Sequence, residues 1–349
     1  LDLDDVRRTA SEMLSKLSRI VVGYREEQRL LIASMLAGGH VLLEGVPGIA
    51  KTTMVKALGR LMGLTEDYVE IGGVRYKGFS RIQFTPDLLP SDITGSLIFN
   101  PSTRSFEPRL GPIFAYIVLA DEINRAVPRT QSALLEAMQE RQVTIGDSTY
   151  PLEDRGRGKF FTVIATQNPV EQEGTYPLPE AQLDRFLMRI IMEYPEGLED
   201  EKNVFRLHLG RLSEPYEELE SIVEPGWLIE AQRTVAGEVD VGEDILDYVT
   251  RLVRTTRPTI FKPAARFFEL GASPRAGISL IRASQAYAAI RGSGSVEKQD
   301  VDAVLFPVLN HRLIPNMDRV IEAEEEDRFH ARVRVIREGL KLIVDQVSA

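Results

Sequence analysis

Apolar residues recur along this chain in two rhythms, and the change between them divides it. Val6, Ala10, Met13, Leu14 and Leu17 fall three or four residues apart, the spacing of one helix face. Gly23 breaks that pattern within VVGYREE, and a second helix is predicted over 25–37, closed by Gly38-Gly39. The rhythm then turns to short apolar runs at 40–43, 113–120, 160–166 and 187–193. Runs of that kind suit parallel strands covered on both faces. Shorter strands are predicted at 68–71, ending at Gly72-Gly73, and at 81–85. Helical patterns lie between them at 54–62, 130–140 and 179–184, so the first part reads as an α/β domain. Two hairpins interrupt the alternation. Leu97-Ile98-Phe99 and Arg104-Ser105-Phe106 flank the turn at 100–103, within 94–112. Residues 142–145 and 149–152 flank Gly146-Asp147, within 142–159.

Past the linker Tyr194-Pro195-Glu196-Gly197 no strand rhythm dominates. Helices are predicted at 199–211, 225–236, 243–255, 275–291 and 299–309. The expected organisation is therefore 1–195 as a parallel-sheet domain, with 196–349 as an all-helical second domain. Phe329, Val333, Ile336, Leu340, Ile343 and Val347 form an apolar seam near the end. It fits either packing on its own subunit or self-association through a short coiled coil.

Composition narrows the chemistry. The absence of cysteine excludes disulfides and thiolate metal sites, and His40, His208, His311 and His330 show no ligand spacing. No stretch approaches the ~20 apolar residues of a membrane helix. The opening LDLDDVRRTA is polar and acidic rather than a signal peptide, so a cytoplasmic protein is expected. A net charge of −10 argues against nucleic acid as the partner of the whole surface.

The densest chemistry is GVPGIAKTT: Gly45, Val46, Pro47, Gly48, Ile49, Ala50, Lys51, Thr52 and Thr53. Strand, glycine turn, Lys-Thr and helix make a phosphate-binding loop. Gly45 and Gly48 let backbone N–H groups curl toward phosphate oxygens, and the helix N-terminus adds more. Lys51 would reach the β- and γ-phosphates, and the Thr52 hydroxyl would bind Mg²⁺. Ala50 stands where glycine is usual; it fits with a negative φ, as a first helical turn requires. Asp121-Glu122 ends the run 113–120, at the strand edge where ligands of open α/β sheets lie. Asp121 suits Mg²⁺ and Glu122 a general base, or both cap the next helix. Asn168, at the tip of the run 160–166, could orient water or simply make an Asn-Pro turn. Val21, Val22 and Gly23 lie upstream of the loop and either touch a base or turn between helices. Arg155, Arg157 and Lys159 read as a solvated mobile loop or as a pore or partner contact.

GVPGIAKTT, RIQFTPDLLPSDITG, VLADEINRA, TQSALLEAMQERQVT, ATQNP, LPEAQLDRF and GASPRA, in this order, closely resemble the MoxR family of AAA+ ATPases. The resemblance runs from about residue 14 to 314 and accounts for the alanine before Lys51. It implies an AAA+ sheet domain with helices on both faces and a C-terminal helical lid. Lys51 and Thr52 correspond to Walker A, Asp121 and Glu122 to Walker B, and Asn168 to sensor 1. Arg185 corresponds to the arginine finger and Arg275 to sensor 2. The hairpin at 94–112 corresponds to the helix-2 insert, and the one around Gly146 to the pre-sensor-1 insertion. Residues 65–78 are longer than the family pattern, and the tail after Pro315 matches less clearly.

The resemblance also implies ATP and Mg²⁺ as ligands and a ring of copies, expected to be a hexamer, in which Arg185 serves a neighbour's nucleotide. It implies a remodelling chaperone that matures a client, often by metal or cofactor insertion, with a von Willebrand A domain partner. The same clade contains magnesium-chelatase ATPase subunits and nucleic-acid motors. A nucleotide switch that does not hydrolyse is a third class. The set Asp121, Glu122, Asn168 and Arg185 argues for hydrolysis.

Overall fold

The computed structural model describes residues 1–169, 174–195, 197–323, 325 and 327–348. The first part runs α1 (Leu3–Ile20), α2 (Arg25–Leu36), β1 (Val41–Gly45), α3 (Lys51–Leu61), β2 (Tyr68–Ile71) and β3 (Val74–Gln83). It continues α4 (Pro90–Thr94), β4 (Gly95–Asn100), β5 (Ser105–Leu110), β6 (Ala115–Asp121), α5 (Pro128–Glu140), β7 (Gln142–Ile145) and β8 (Ser148–Pro151). Then come β9 (Thr162–Gln167), α6 (Glu180–Leu183) and β10 (Met188–Met192). The remainder is α7 (Leu198–His208), α8 (Trp227–Glu238), α9 (Glu243–Thr255), β11 (Phe268–Leu270) and α10 (Pro274–Arg291). It ends with α11 (Lys298–Leu309), β12 (Ile314–Pro315), α12 (Met317–Glu322) and α13 (Arg328–Ser348).

The main sheet has the order β10-β1-β9-β6-β3-β2. Its strands are parallel except β2, which pairs antiparallel with β3 across Gly72-Gly73. Successive residues of the central strands feed two cores. Val41, Leu43, Ile117, Leu119 and Ile164 face α1, α2 and α3, whereas Leu42, Val118, Ala120, Val163 and Ala165 face α5. Burial on both faces is why these strands read as unbroken apolar runs. The fold is an α/β parallel sheet with helices on both sides, followed by a helical region.

β3 begins at Val74, well before the expected 81, because its early residues alternate. Val74, Tyr76, Phe79 and Ile82 are buried, whereas Arg75 and Arg81 are exposed. Near a sheet edge one side is wet, and the pattern there has period two. Both predicted hairpins form, as β4–β5 and β7–β8. The helical region is not wholly helical: β11 and β12 pair antiparallel. Strands of two or three residues are too short to leave a periodic signal.

Lys159 corrects the expectation of a solvated loop. Arg155 and Arg157 are exposed on a 3-10 turn, but Lys159 is completely buried. Its ammonium donates to the carbonyls of Ala115 (2.7 Å), Phe160 (2.9 Å) and Leu152. It lies 4.6 Å from the ring centre of Tyr76 and 5.1 Å from that of Tyr116. A buried ammonium is tolerable only when its protons are all accepted, as these carbonyls and rings do. Burial holds its pKa well below the usual lysine value.

The seam of α13 packs on its own chain. Val333, Ile336, Leu340 and Ile343 are buried, and the helix lies against α9 and α12. α1 and α2 pack on α8 and α10, and α1 also packs on α3, so one apolar core runs from the sheet into the helical region. Residue 196, at the expected domain boundary, lies outside the described residues. Among those described, no helix is long and apolar enough to cross a membrane.

Candidate nucleotide site

The phosphate loop leaves β1 at Gly45, where a side chain is impossible. An added Cβ would sit 2.3 Å from the Met192 carbonyl oxygen in the neighbouring strand. Gly48 has φ +82°, and nothing stands within 4 Å of where its Cβ would be, so the loop opens outward there. Val46, Thr52 and Thr53 are half-buried, Pro47 is exposed and Ile49 is tucked into the core. α3 starts at Lys51 with no side chain capping its first turn. Its leading N–H groups and dipole are the electropositive end that an anion would meet. The Lys51 ammonium folds across the loop, donating to the Gly45 carbonyl and, at 3.4 Å, to that of Gln167.

Ala50 departs from the expected negative φ. It adopts φ 61°, ψ 21°, the left-handed region. The chain must reverse between the open loop and the helix axis, and residue 50 makes that reversal. A left-handed alanine costs about 1–2 kcal/mol, which is the kind of strain that accumulates at binding turns.

Asp121, the last residue of β6, is buried and held at both oxygens. Thr166 Oγ1 donates to Oδ1 at 2.6 Å, and the Arg81 guanidinium donates to Oδ2 at 2.5 and 2.9 Å. Glu122 is also left-handed, at φ 56° and ψ 49°. Its backbone N–H donates to Thr166 Oγ1 at 3.0 Å, so one hydroxyl spaces the two acids. The Glu122 carboxylate accepts from Gln83 Nε2 (3.0 Å) and pairs with Arg125 (3.1 Å). Gln83 in turn accepts from Arg81 at 2.8 Å. A continuous chain of hydrogen bonds therefore joins Asp121, Arg81, Gln83 and Glu122. Asn168 is buried at the end of β9, and its carbonyl accepts from Asn124 Nδ2 at 3.2 Å.

Neither acid is a mere helix cap. Glu122 precedes the 3-10 turn Ile123–Arg125 without a side-chain cap bond. Lys51, Thr52, Asp121, Glu122 and Asn168 all stand at the carboxyl ends of β1, β6 and β9, or just beyond, where open α/β sheets hold ligands. Val21, Val22 and Gly23 lie at the same edge: Tyr24 Oη donates to the Glu193 carbonyl at 2.8 Å, and a Cβ on Gly23 would touch Pro195 at 3.4 Å. Among the described residues no three His, Cys, Asp or Glu side chains converge on a metal site. A hydroxyl and one carboxylate, Thr52 and Asp121, nevertheless fit Mg²⁺, which takes most of its ligands from water and substrate phosphates.

Arg185 stands elsewhere. It precedes β10, and the register pairs Val41 with Met188 and Gly45 with Met192. Four residues of strand, about 13 Å, separate the level where β10 starts from the phosphate loop. Its guanidinium is half-buried and has no ion-pair partner among the described residues. Arg275, at the start of α10, is largely exposed and reaches Asp184 at 3.2 Å, so it lies beside Arg185. Sequence reasoning missed Arg81, Gln83, Arg125, Thr166 and Asp184. The first two lie inside the RIQFT pattern, two residues apart on one face of a strand, and that spacing was a usable signal.

Comparison with known proteins agrees with this architecture. Residues 40–188 match the family model described as ATPase family associated with various cellular activities (AAA), and residues 262–331 match the AAA lid domain. A Bacillus subtilis (strain 168) protein named YeaC is 42% identical over 98% of both chains. Chaperone MoxR1 of Mycobacterium tuberculosis (strain ATCC 25618 / H37Rv) is 40% identical over 90% of this chain and 78% of its own. A solved structure of a candidate ATPase from Cytophaga hutchinsonii ATCC 33406 has a TM-score of 0.77 at 40% identity, covering 95% of this chain and 94% of that one. With that sheet, that lid and those relatives, the chain belongs to the MoxR family of AAA+ ATPases.

Proposed function

We propose that this protein hydrolyses ATP at a site shared between two copies in a ring, expected to be a hexamer, and uses the cycle to remodel a client protein in the cytoplasm. The observation that carries the reading is the convergence of Lys51, Thr52, Asp121, Glu122 and Asn168 at one sheet edge, with Arg185 at the other end of β10.

Phosphoryl transfer to water needs positioning and charge neutralisation more than covalent chemistry. The loop N–H groups and Lys51 bind the β- and γ-phosphates. Mg²⁺, held by Thr52 and Asp121, would neutralise charge on the same oxygens. Glu122 accepts a proton from the attacking water, and Asn168 orients that water. Val22 and Gly23 border the base. Hydrolysis further calls for a cation beyond the γ-phosphate. Arg185 of the adjoining subunit supplies it, at a typical worth of ~10³–10⁵ in rate. Arg275, tied to Asp184 beside Arg185, serves the same neighbouring pocket.

The name of Chaperone MoxR1 supports the remodelling role. So does the β4–β5 hairpin, which exposes Leu97, Ile98, Phe99 and Phe106 as a contact surface. A von Willebrand A domain partner and metal or cofactor insertion into the client extend this reading. Phosphate release tests the chemistry: Glu122→Gln should bind ATP and lose turnover by at least ~10²-fold, as removal of a general base does. Retained turnover would assign the base elsewhere. A pull-down with Glu122→Gln in ATP should capture the partner and client.

A further inference from the structure

The segment that carries Arg185 is anchored from two sides. Phe186 is buried in the core between the sheet and α5, and backbone N–H groups donate from Arg185 to Gln182 (3.2 Å), from Phe186 to Leu183 (3.0 Å) and from Leu187 to His40 (2.8 Å). The carbonyls are claimed by the stretch just after α11. Arg312 donates to the carbonyls of Phe186 (2.8 Å), Leu187 (3.0 Å) and Asp184 (3.4 Å), and its Nε donates to the Asp184 carboxylate at 2.7 Å. His311 Nε2 lies 2.9 Å from the Phe186 carbonyl oxygen, and Asn310 donates to the Arg189 carbonyl at 2.9 Å.

Arg312 is only 4% exposed, and its hydrogen bonds go to residues outside the 45–53 loop. A buried guanidinium must satisfy five N–H donors to offset lost hydration; this one does so on the backbone and the Asp184 carboxylate before β10, and also on the Val308 carbonyl, His311 Nε2 and Ser279 Oγ. The clamp takes the neighbours of Arg185 on both sides and leaves its guanidinium without a partner among the described residues. A finger acts only if its charge arrives in register, since an ångström of misplacement can cost ~10²-fold.

We propose that Arg312 is the positioning residue for Arg185, so that the helical region of one subunit sets the rate of hydrolysis at the next. This rests on the reading of Arg185 as a finger acting between subunits. The arrangement is directional: the clamp belongs to the subunit that donates the finger and not to the one that holds the ATP.

Mixed assemblies of full-length chains test it by phosphate release. Arg185→Ala supplies competent pockets without fingers, and Glu122→Gln supplies fingers without turnover. Their mixture should recover activity. A donor carrying both Glu122→Gln and Arg312→Lys should recover at least tenfold less, while binding a fluorescent ATP analogue with unchanged affinity. Arg312→Lys placed in the Arg185→Ala chain should cost nothing, because that chain's finger is already gone. Equal losses in both placements, or full recovery with the altered donor, would overturn the proposal. Should Arg312→Lys fail to bind nucleotide, Asp184→Asn, which keeps side-chain volume, takes its place with the same directional expectation. If unaltered Glu122→Gln does not rescue Arg185→Ala, the finger reading itself fails and takes the inference with it.

Discussion

Asp121 shares its charge with an arginine before any metal arrives. Arg81 is 44% exposed and Asp121 9%, so the pair is partly screened and worth up to about 1 kcal/mol. Mg²⁺, if held by Asp121 as proposed, would compete with that guanidinium. Arg81→Ala should therefore lower the Mg²⁺ concentration for half-maximal nucleotide binding, by up to about fivefold; an unchanged or higher requirement would mean that the pair does not oppose the metal. Two buried histidines set a pH dependence of stability. His40 accepts the Val163 N–H on Nδ1 and pairs through Nε2 with the Met138 carbonyl, a pattern only the neutral ring can satisfy. Burial, then nearby Arg141, push its pKa down to about 3. Burial and Arg312 lower that of His311 as well. The unfolded chain takes up these protons below pH ~6.5 and the fold refuses them, so stability is full above that pH and falls as pH drops. The slope should be about 1.4 kcal/mol per pH unit for each ring. Denaturation of His40→Asn between pH 6.5 and 5 should show roughly half the combined slope of the two rings; an unaltered slope would exclude His40. The place of residues 45–53 between β1 and α3, and of Asp121 and Glu122 at the end of β6, was legible because both sit at a change of rhythm. Arg81 and Thr166 were not, because a polar side chain on a strand gives no hint of which carboxylate it meets.

Lys159 shows how an element can hide its anchor. Its ammonium joins the end of the β7–β8 insertion to the starts of β6 and β9 through three carbonyls. Lys159→Ala would leave those acceptors dry and open a cavity among Tyr76, Tyr116 and Phe161. A loss of about 3 kcal/mol or more in unfolding free energy is expected, read by chemical denaturation. A loss under about 0.5 kcal/mol, the range of ordinary surface substitutions, would place the lysine in solvent. In the sequence this residue is one of three cations in a Gly-rich run, and composition alone made all three look solvated. The doubly covered strands and the amphipathic helices were legible, since burial imposes their periods. β3 was half-legible, because its outer part lies next to the edge strand. β11 and β12 were not legible at all, being too short to repeat anything.

At the scale of the molecule, Arg185 and the loop after β1 stand at opposite ends of the paired strands β1 and β10. The register of β1 with β10 keeps Gly45 and Arg185 apart by construction. α1 and α2 share a core with α8 and α10, so the helices before the phosphate loop pack directly on the helical region. The two-part organisation was legible from the point where strand rhythm ceases. The shared core was not, since it joins residues some 200 positions apart. In the proposed scheme turnover requires an adjoining copy. Phosphate release per subunit, followed as the protein is diluted through its assembly transition at saturating ATP and Mg²⁺, tests this most directly. Specific activity should collapse together with the assembled fraction, and Arg185→Ala should be inactive at every concentration while still binding ATP. Constant activity per subunit down to the isolated monomer would contradict it.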